Sequence, residues 1–439
     1  MQKPATHISS FHYKLLASVY DRRYIKESAA RDSGGYHMNH SPFISLNSWN
    51  QPGAILQAAE PEEIVEGGWE DWGKLRETLA RRRKTGGDSA HPQSAAVGYI
   101  TYEGAFRFAW FPKIALLAEH GFSEMWNERR ARAENRSAVP STSLRTGGDR
   151  RYNEWQANQT REAFEARVAR AQEYIAAGDI YQANIAQKFS TRFTGNPYRL
   201  FEHLLARSPA PGGAFLDFGN LCVLSASPEL FLHIRGRHIT TRPIKGTRPR
   251  SRDPVRDEQL AYELLTDPKE LAELVMITDL ERNDLGQICE YGSVTVSQLV
   301  QLERFPQVFH LVSTVEGMLR PGVDMLDAVR ACIPGGSISG APKKRACEII
   351  KELEPCPRGI YTGIIGYFDD NGDAAFSIAI RTMILEGENL HFSVGSGITA
   401  GSVPAREYEE TLHKASGMEM ALEAYGFACR QLTDQSTLL

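Results

Sequence analysis

Two periodicities alternate along this chain, and their order outlines its elements. Near the N-terminus, Pro42–Asn47 and Ala95–Tyr102 carry the β-formers of strands, while Trp72–Arg83 sets Leu75 and Leu79 on one helical face. Thr160 stands where it can cap a helix with Phe164, Val168, Ala171 and Ile175 along one side, and Gly178 stops it. Asp179–Ser190 then reads as a strand, with Gln182 and Asn184 on one face by period-two alternation. The clearest pattern is Ser225–Arg250, SASPELFLHIRGRHITTRPIKGTRPR. Its two strands, Leu230–Ile234 and His238–Thr241, meet through Arg235–Gly236–Arg237 in the outline of a hairpin. In Asp257–Cys289 the apolar positions Leu271, Leu274, Val275 and Ile277 recur at helical spacing, so the stretch is one long helix or a helix pair. Phe309, Leu311 and Val315 mark a strand in VFHLVSTVEG, and a helix over Arg345–Leu353 and a strand over Leu390–Val394 follow.

Composition narrows the classes. The 439 residues, 42% hydrophobic and 24% charged, are those of a globular chain able to bury a substantial core. A net charge of −4 argues against bulk binding to nucleic acid or anionic membrane. No apolar run approaches the ~20 residues of a spanning helix, and the start, MQKPATHISS, is not a signal peptide. Cys222, Cys289, Cys332, Cys347, Cys356 and Cys429 show no framework spacing and read as reduced thiols of a cytoplasmic enzyme. Lys84–Gln93 and Ala133–Arg150 are loose, and the second suggests a division into residues 1–150 and 151–439.

The candidate chemistry starts at the hairpin. Its outer ends carry Glu229 and Lys245, which the turn brings together, and Pro–Ile before the lysine and Gly–Thr after it constrain the backbone more than a solvated lysine needs. Glu270 and Glu273 share a helical face, as do Glu407 and Glu410 in REYEETLHK. Two such pairs in one cleft need a cation between them, and oxygen-only ligands suit Mg²⁺. Arg381, in the apolar run FSIAIRTMI, calls for a buried anion such as a carboxylate. Pro334–Lys344, PGGSISGAPKK, lacks the Lys and Ser/Thr of a phosphate loop. Gly395–Ala400, GSGITA, fits a dinucleotide fingerprint in spacing but not in context, because Val403–Pro404 interrupts where a helix should open. Its glycines suit a loop whose N–H groups approach a carboxylate.

Taken together, SPE…PIKGTRPR, DLERNDLG (Asp279–Gly286), PGGSISGAPK and GSGITA resemble the motifs of the chorismate-utilising enzymes over roughly Tyr152–Gly426, and GYITYE (Gly98–Glu103) extends the likeness into the N-terminal half. The resemblance implies one α+β body: two large, mostly antiparallel sheets packed face to face with helices outside, the N-terminal region adding strands and, in many relatives, a tryptophan site. FISLNS (Phe43–Ser48) departs from the usual pattern at that site. Lysine at position 245 is the form seen in the aminodeoxychorismate-forming branch, where the anthranilate-forming branch has alanine. In relatives that add water to chorismate, a lysine base stands where this chain has Gln182, so the resemblance points to ammonia as the incoming group.

The implied roles follow motif by motif. Lys245 is the nucleophile and Glu229 the general acid, with Thr247 hydrogen bonding and His310 beside the substrate ring. Glu273 and Glu410 are the Mg²⁺ ligands, supported by Glu270 and Glu407. Tyr361 and Arg381 take the enolpyruvyl carboxylate, and Gly395, Ser396, Gly397 and Lys414 the ring carboxylate. Arg282, Asn283 and Asp284 read as a structural polar network. The implied partners are chorismate, ammonia and a separate glutamine amidotransferase subunit, since no cysteine sits in a GxCxG-like nucleophile turn. The alternatives are the anthranilate-forming activity and a non-catalytic paralogue acting as a ligand-binding or regulatory subunit.

Overall fold

The computed structural model describes residues 43–47, 54–83, 94–118 and 155–436. The loose stretches 84–93 and 133–150, and the boundary expected near residue 150, lie outside the described residues. The chain runs through β1 (Phe43–Asn47), β2 (Ala54–Ala59), β3 (Glu63–Gly67), α1 (Trp72–Arg82), β4 (Ala95–Ile100), β5 (Phe106–Phe111) and β6 (Ala115–Ala118). Next come β7 (Gln156–Ala157), α2 (Arg161–Ala176), β8 (Gln182–Arg192), α3 (Pro197–Arg207), β9 (Gly212–Asp217) and β10 (Leu221–Ser227). The central part holds β11 (Leu230–Arg235), β12 (His238–Arg242), β13 (Ile244–Pro249), α4 (Pro254–Leu265), α5 (Pro268–Gly286), β14 (Thr295–Arg304), β15 (Val308–Met318) and α6 (Met325–Cys332). The last part holds β16 (Gly340–Ala341), α7 (Lys343–Leu353), β17 (Ile364–Asp369), β18 (Ala374–Ile378), β19 (Thr382–Glu386), β20 (Asn389–Ile398) and α8 (Pro404–Ser436).

These strands form two ten-stranded sheets. One runs β16-β8-β20-β19-β10-β9-β1-β2-β6 with β7 on β8, the other β13-β15-β12-β11-β18-β17-β4-β5-β3 with β14 on β15. The N-terminal strands sit inside both: β1 lies between β9 and β2, and β4 between β17 and β5. The inner faces pack on one another, since Ile44, Leu216 and Val223 of the first sheet share a cluster with Val97, Phe111 and Ile365 of the second. Helices cover the outer faces, α3 and α8 on the first sheet and α1 and α6 on the second. The α+β architecture expected from the sequence is the one observed.

Local rules explain most boundaries. Thr160 caps α2, its hydroxyl accepting the Ala163 N–H at 3.3 Å, and Phe164, Val168 and Ala171 are buried as the periodicity required. Asp257–Cys289 is part of a helix pair because Asp267–Pro268 stops one helix and starts the next: Asp267 accepts the N–H groups of Lys269 and Glu270. Leu274 and Ile277 are buried, but Val275 is 47% exposed and belongs to the outer face of α5. The hairpin turns at Gly236 with φ +59°, and Arg235 pairs with His238 across it. None of the described helices is long and apolar enough to cross a membrane.

Candidate active site

The hairpin's outer ends converge where β13 pairs with β15. Lys245 pairs with Leu311 and Thr247 with His310, so Gly246 is an extra residue in β13, a bulge with φ +75°. A side chain at Gly246 would press within 2.8 Å of Leu264 and 3.2 Å of the Glu270 carboxylate, so α4 and α5 leave room only for glycine. The bulge re-aims its neighbours. Lys245 is half-buried, and its Nζ donates to the Ser337 carbonyl at 3.1 Å rather than to a carboxylate. Burial lowers its pKa, with Glu273 pulling back upward and Lys414 pushing further down. Glu229 is 4% exposed, and burial raises its pKa against the Ser337 hydroxyl, Lys245 and the Ile244 N–H. Acid and amine therefore share one site through Ser337, a residue the sequence reading left without a role.

His310 is 2% exposed, with Nδ1 3.0 Å from the Thr247 hydroxyl and 3.3 Å from the Gly246 carbonyl. Burial, then the Arg381 charge, lowers its pKa to about 4, so the ring is neutral at pH 7. Its Nε2 is buried without a partner. The Oε1 of Gln182, on β8, is likewise buried and unpartnered. Two unsatisfied groups of this kind are costly unless a ligand completes them.

Glu273 and Glu410, one from each carboxylate pair, lie within electrostatic reach of each other. Burial raises the pKa of Glu273, with Lys245 and Lys269 opposing and the charges of Glu270 and Glu410 adding to it. Glu410 moves the other way because Lys414 lies 2.7 Å away and the Ser396 hydroxyl also reaches it. Glu270 pairs with Arg248 at 3.3 Å, and Glu407 accepts the Ser396 hydroxyl. Among the described residues, no three His, Cys, Asp or Glu side chains gather closely enough to hold a metal ion by themselves. The all-carboxylate donor set fits Mg²⁺ only as a site shared with waters and an anionic substrate.

Three expectations are corrected. Gly395–Gly397 is not a loop but the interior of β20, paired with β8 over ten residues. Its glycines make room for side chains: a Cβ at Gly397 would lie 2.2 Å from Gln182 Nε2, and one at Gly395 3.0 Å from both Asn184 Oδ1 and the Tyr361 hydroxyl. Because β19 pairs with β20 only as far as Phe392, the edge beyond it has no strand partner on that side, and Lys414 reaches the Gly395 carbonyl at 2.9 Å. Arg381 does not sit in a strand. It occupies the bend where the chain passes from β18 in one sheet to β19 in the other, with φ +50°. Its guanidinium makes no ion pair with a described residue; burial lowers its pKa, and Glu229 is the charge opposing that. Finally, Arg282 and Asn283 are exposed, so only Asp284 of that trio is in a buried network, with Glu281 and Lys343.

Tyr361 is 5% exposed and keeps its proton, burial pushing its pKa up to about 12, and Asn184 hydrogen bonds its hydroxyl. Behind it, buried Arg358 ties the site together, donating to the carbonyls of Ile338 (2.9 Å) and Asn184 (2.6 Å) and to Glu354 at 2.6 and 2.9 Å. GYITYE supports this segment: Glu103 accepts the N–H groups of Arg358 and Gly359. Asn184 stands near Gln182 and Ser337 within PGGSISGAPKK, whereas Arg358 lies in none of the motifs, and nothing in their local spacing shows what they touch.

Residues 48–420 match the chorismate binding enzyme family, to which this chain belongs. It is 46% identical over 295 residues to anthranilate synthase component 1 of Streptomyces coelicolor (67% of this chain, 58% of that one), and 43% identical over 264 residues to aminodeoxychorismate synthase component 1 of Bacillus subtilis (60% and 56%). The matched part thus spans a little over half the length of these two curated relatives. Among solved structures, anthranilate synthase component I of Streptococcus pneumoniae matches with a TM-score of 0.67 at 28% identity, covering 88% of this chain and 91% of that one. A Bacillus anthracis protein described as a putative 2,3-dihydroxybenzoate-specific isochorismate synthase shares the fold, with a TM-score of 0.69 at 23% identity, covering 90% of this chain and 99% of that one.

Proposed function

We propose that the protein converts chorismate and ammonia to 4-amino-4-deoxychorismate, an amination without loss of pyruvate that leads toward 4-aminobenzoate and folate. The observation carrying this reading is Lys245, an amine whose pKa is lowered by burial, held by a neutral carbonyl beside Glu229, whose pKa burial raises. The neutral amine attacks the ring as the 4-hydroxyl departs as water with a proton from Glu229, and the attacking nitrogen returns a proton to the Glu229 carboxylate. Ammonia then takes the 4-position as the lysine nitrogen departs with that proton, and the new ammonium group gives one back to Glu229. Arg381 and Tyr361 hold the enolpyruvyl carboxylate; the open edge at Gly395–Gly397 and Lys414 receive the ring carboxylate. Thr247 holds the His310 ring through Nδ1, leaving Nε2 for the substrate. Gln182, an amide, supplies no base for water. Glu273 and Glu410 would hold Mg²⁺, with Glu270 and Glu407 in support, and the ion would neutralise the substrate carboxylate. Ammonia comes from a separate glutamine amidotransferase subunit, in the cytoplasm.

The second reading is anthranilate formation, favoured by the names of several similar curated proteins. Product identification by chromatography and mass spectrometry, with chorismate, Mg²⁺ and an ammonium salt, separates them. 4-Amino-4-deoxychorismate supports the first reading and anthranilate the second; isochorismate or salicylate overturns both.

A further inference from the structure

Ser337 touches both Lys245 and Glu229, so whatever holds Ser337 sets the geometry of the pair. The preceding N–H, that of Gly336, donates at 3.0 Å to Oε1 of Glu281, which is 3% exposed on α5. The contact is close: a Cβ at Gly336 would lie 3.0 Å from that oxygen and 2.7 Å from Leu280. One turn further along α5, Asp284 pairs with Lys343, which also donates to the Cys332 carbonyl at 3.0 Å. The segment between α6 and α7 is thereby fastened to α5 near both ends, and Ser337 lies between the fastenings.

We propose that Glu281 is a positioning residue for the reaction: through the Gly336 N–H it fixes the turn that presents the Ser337 carbonyl to Lys245 and the Ser337 hydroxyl to Glu229. The inference rests on reading Lys245 and Glu229 as the reacting pair. Three groups face Glu281: Asp284 on the same helix, Lys343 on α7, and Glu229 before β11. Burial, then Asp284, raises its pKa to about 8, so it works at neutral pH as an uncharged acceptor. An amide at this position therefore keeps the function, and an alkyl group does not.

The test is competitive acetylation of Lys245 across pH in the intact protein, read by peptide mass spectrometry. It uses no chorismate. A wild-type protein that leaves chorismate unchanged would sink the functional reading without touching this measurement. Glu281→Gln should keep the wild-type labelling midpoint. Glu281→Ala and the volume-matched Glu281→Leu should move it upward by half a pH unit or more, because a released turn lets water reach the amine. In turnover, the same two variants should lose at least tenfold in kcat with KM for chorismate within twofold, and Glu281→Gln should rescue. Three results overturn the proposal: a folded Ala or Leu variant with the wild-type midpoint, a Gln variant that behaves like Ala, or Ala and Leu variants that both fail to fold while Gln folds, which would leave Glu281 a purely structural role.

Discussion

Lys245 and Lys343 stand on either side of one short segment, and both are largely withdrawn from water, yet their surroundings drive them in opposite directions. Lys343 meets the Asp284 carboxylate, with Glu281 beyond it, and its pKa is raised in spite of burial. Lys245 meets a neutral carbonyl, its carboxylates stand further off, and its pKa falls. Desolvation acts on both; a direct carboxylate contact is what differs. A lysine with that contact is a structural cation, and one without it is available as a nucleophile. Position 245, on which the proposed 4-amination rests, is thus one where the fold withholds a direct counter-ion.

The largest effect expected from breaking the contrast is at Lys245. Lys245→Ala should lower 4-amination by roughly 10³- to 10⁶-fold, the range for loss of an enzyme nucleophile. Lys245→Arg should not restore it, because a guanidinium stays protonated. Peptide mapping of wild-type protein quenched with chorismate and no ammonia should find an adduct on the Lys245 peptide. Full 4-amination by the alanine variant would refute the nucleophile.

Lys343→Met probes the other side. It leaves Asp284 buried and uncompensated, and loss of one partner of a buried pair costs about 3–5 kcal/mol. Urea unfolding at pH 7 measures this. Removing Lys343 raises the Asp284 pKa above its present value of about 6, so the loss should shrink as pH falls toward 6 and level off below it, where the carboxyl is protonated in both proteins. A loss under 1 kcal/mol at pH 7 would mean that Lys343 is no anchor.

A smaller change is expected from Glu273→Gln, which removes the carboxylate with the strongest pull on Lys245. Activity at limiting Mg²⁺ should fall about 10²- to 10³-fold, as for loss of one electrostatic stabiliser. The acidic limb of the pH profile, set by deprotonation of the Lys245 amine, should also move to lower pH. Normal activity of the variant at limiting Mg²⁺ would remove Glu273 from the ligand set.

How much of this was legible beforehand depends on whether the signal is local. The hairpin, the Thr160 cap and the burial of Leu274 and Ile277 follow from period and turn chemistry, and the structure has them. Gly395–Gly397 was misread because a Gly-Ser-Gly run has loop propensity, whereas ten residues of pairing with β8 override it. Arg381 reads as strand from its apolar neighbours, and only the passage between sheets forces its bend and positive φ. Ser337 and Glu281 could not be assigned at all, since their contacts join segments far apart in the chain. Gly246 lies between: PIKGT shows a glycine, but the bulge that makes it necessary is a property of the register with β15.

The smallest effect is the pH dependence of stability, and it separates the two lysines by sign. For Lys343 the folded pKa lies above that of the unfolded chain, ~10.4. Its contribution is therefore complete below pH 10.4 and is lost only as pH rises through the higher folded value. For Lys245 the folded pKa lies below ~10.4. Between the two values the unfolded chain binds more protons, so the folded state gains stability as pH rises. Below the folded value the charged amine is a constant burden. Competitive acetylation of the intact protein across pH, read at each lysine's peptide, makes the comparison without removing Lys343, whose loss would shift the titration of Asp284 and Glu281. The labelling midpoint should lie below ~10.4 for Lys245 and above it for Lys343. Midpoints on the same side of ~10.4 would mean that the two sites do not differ in the way that makes one of them chemical.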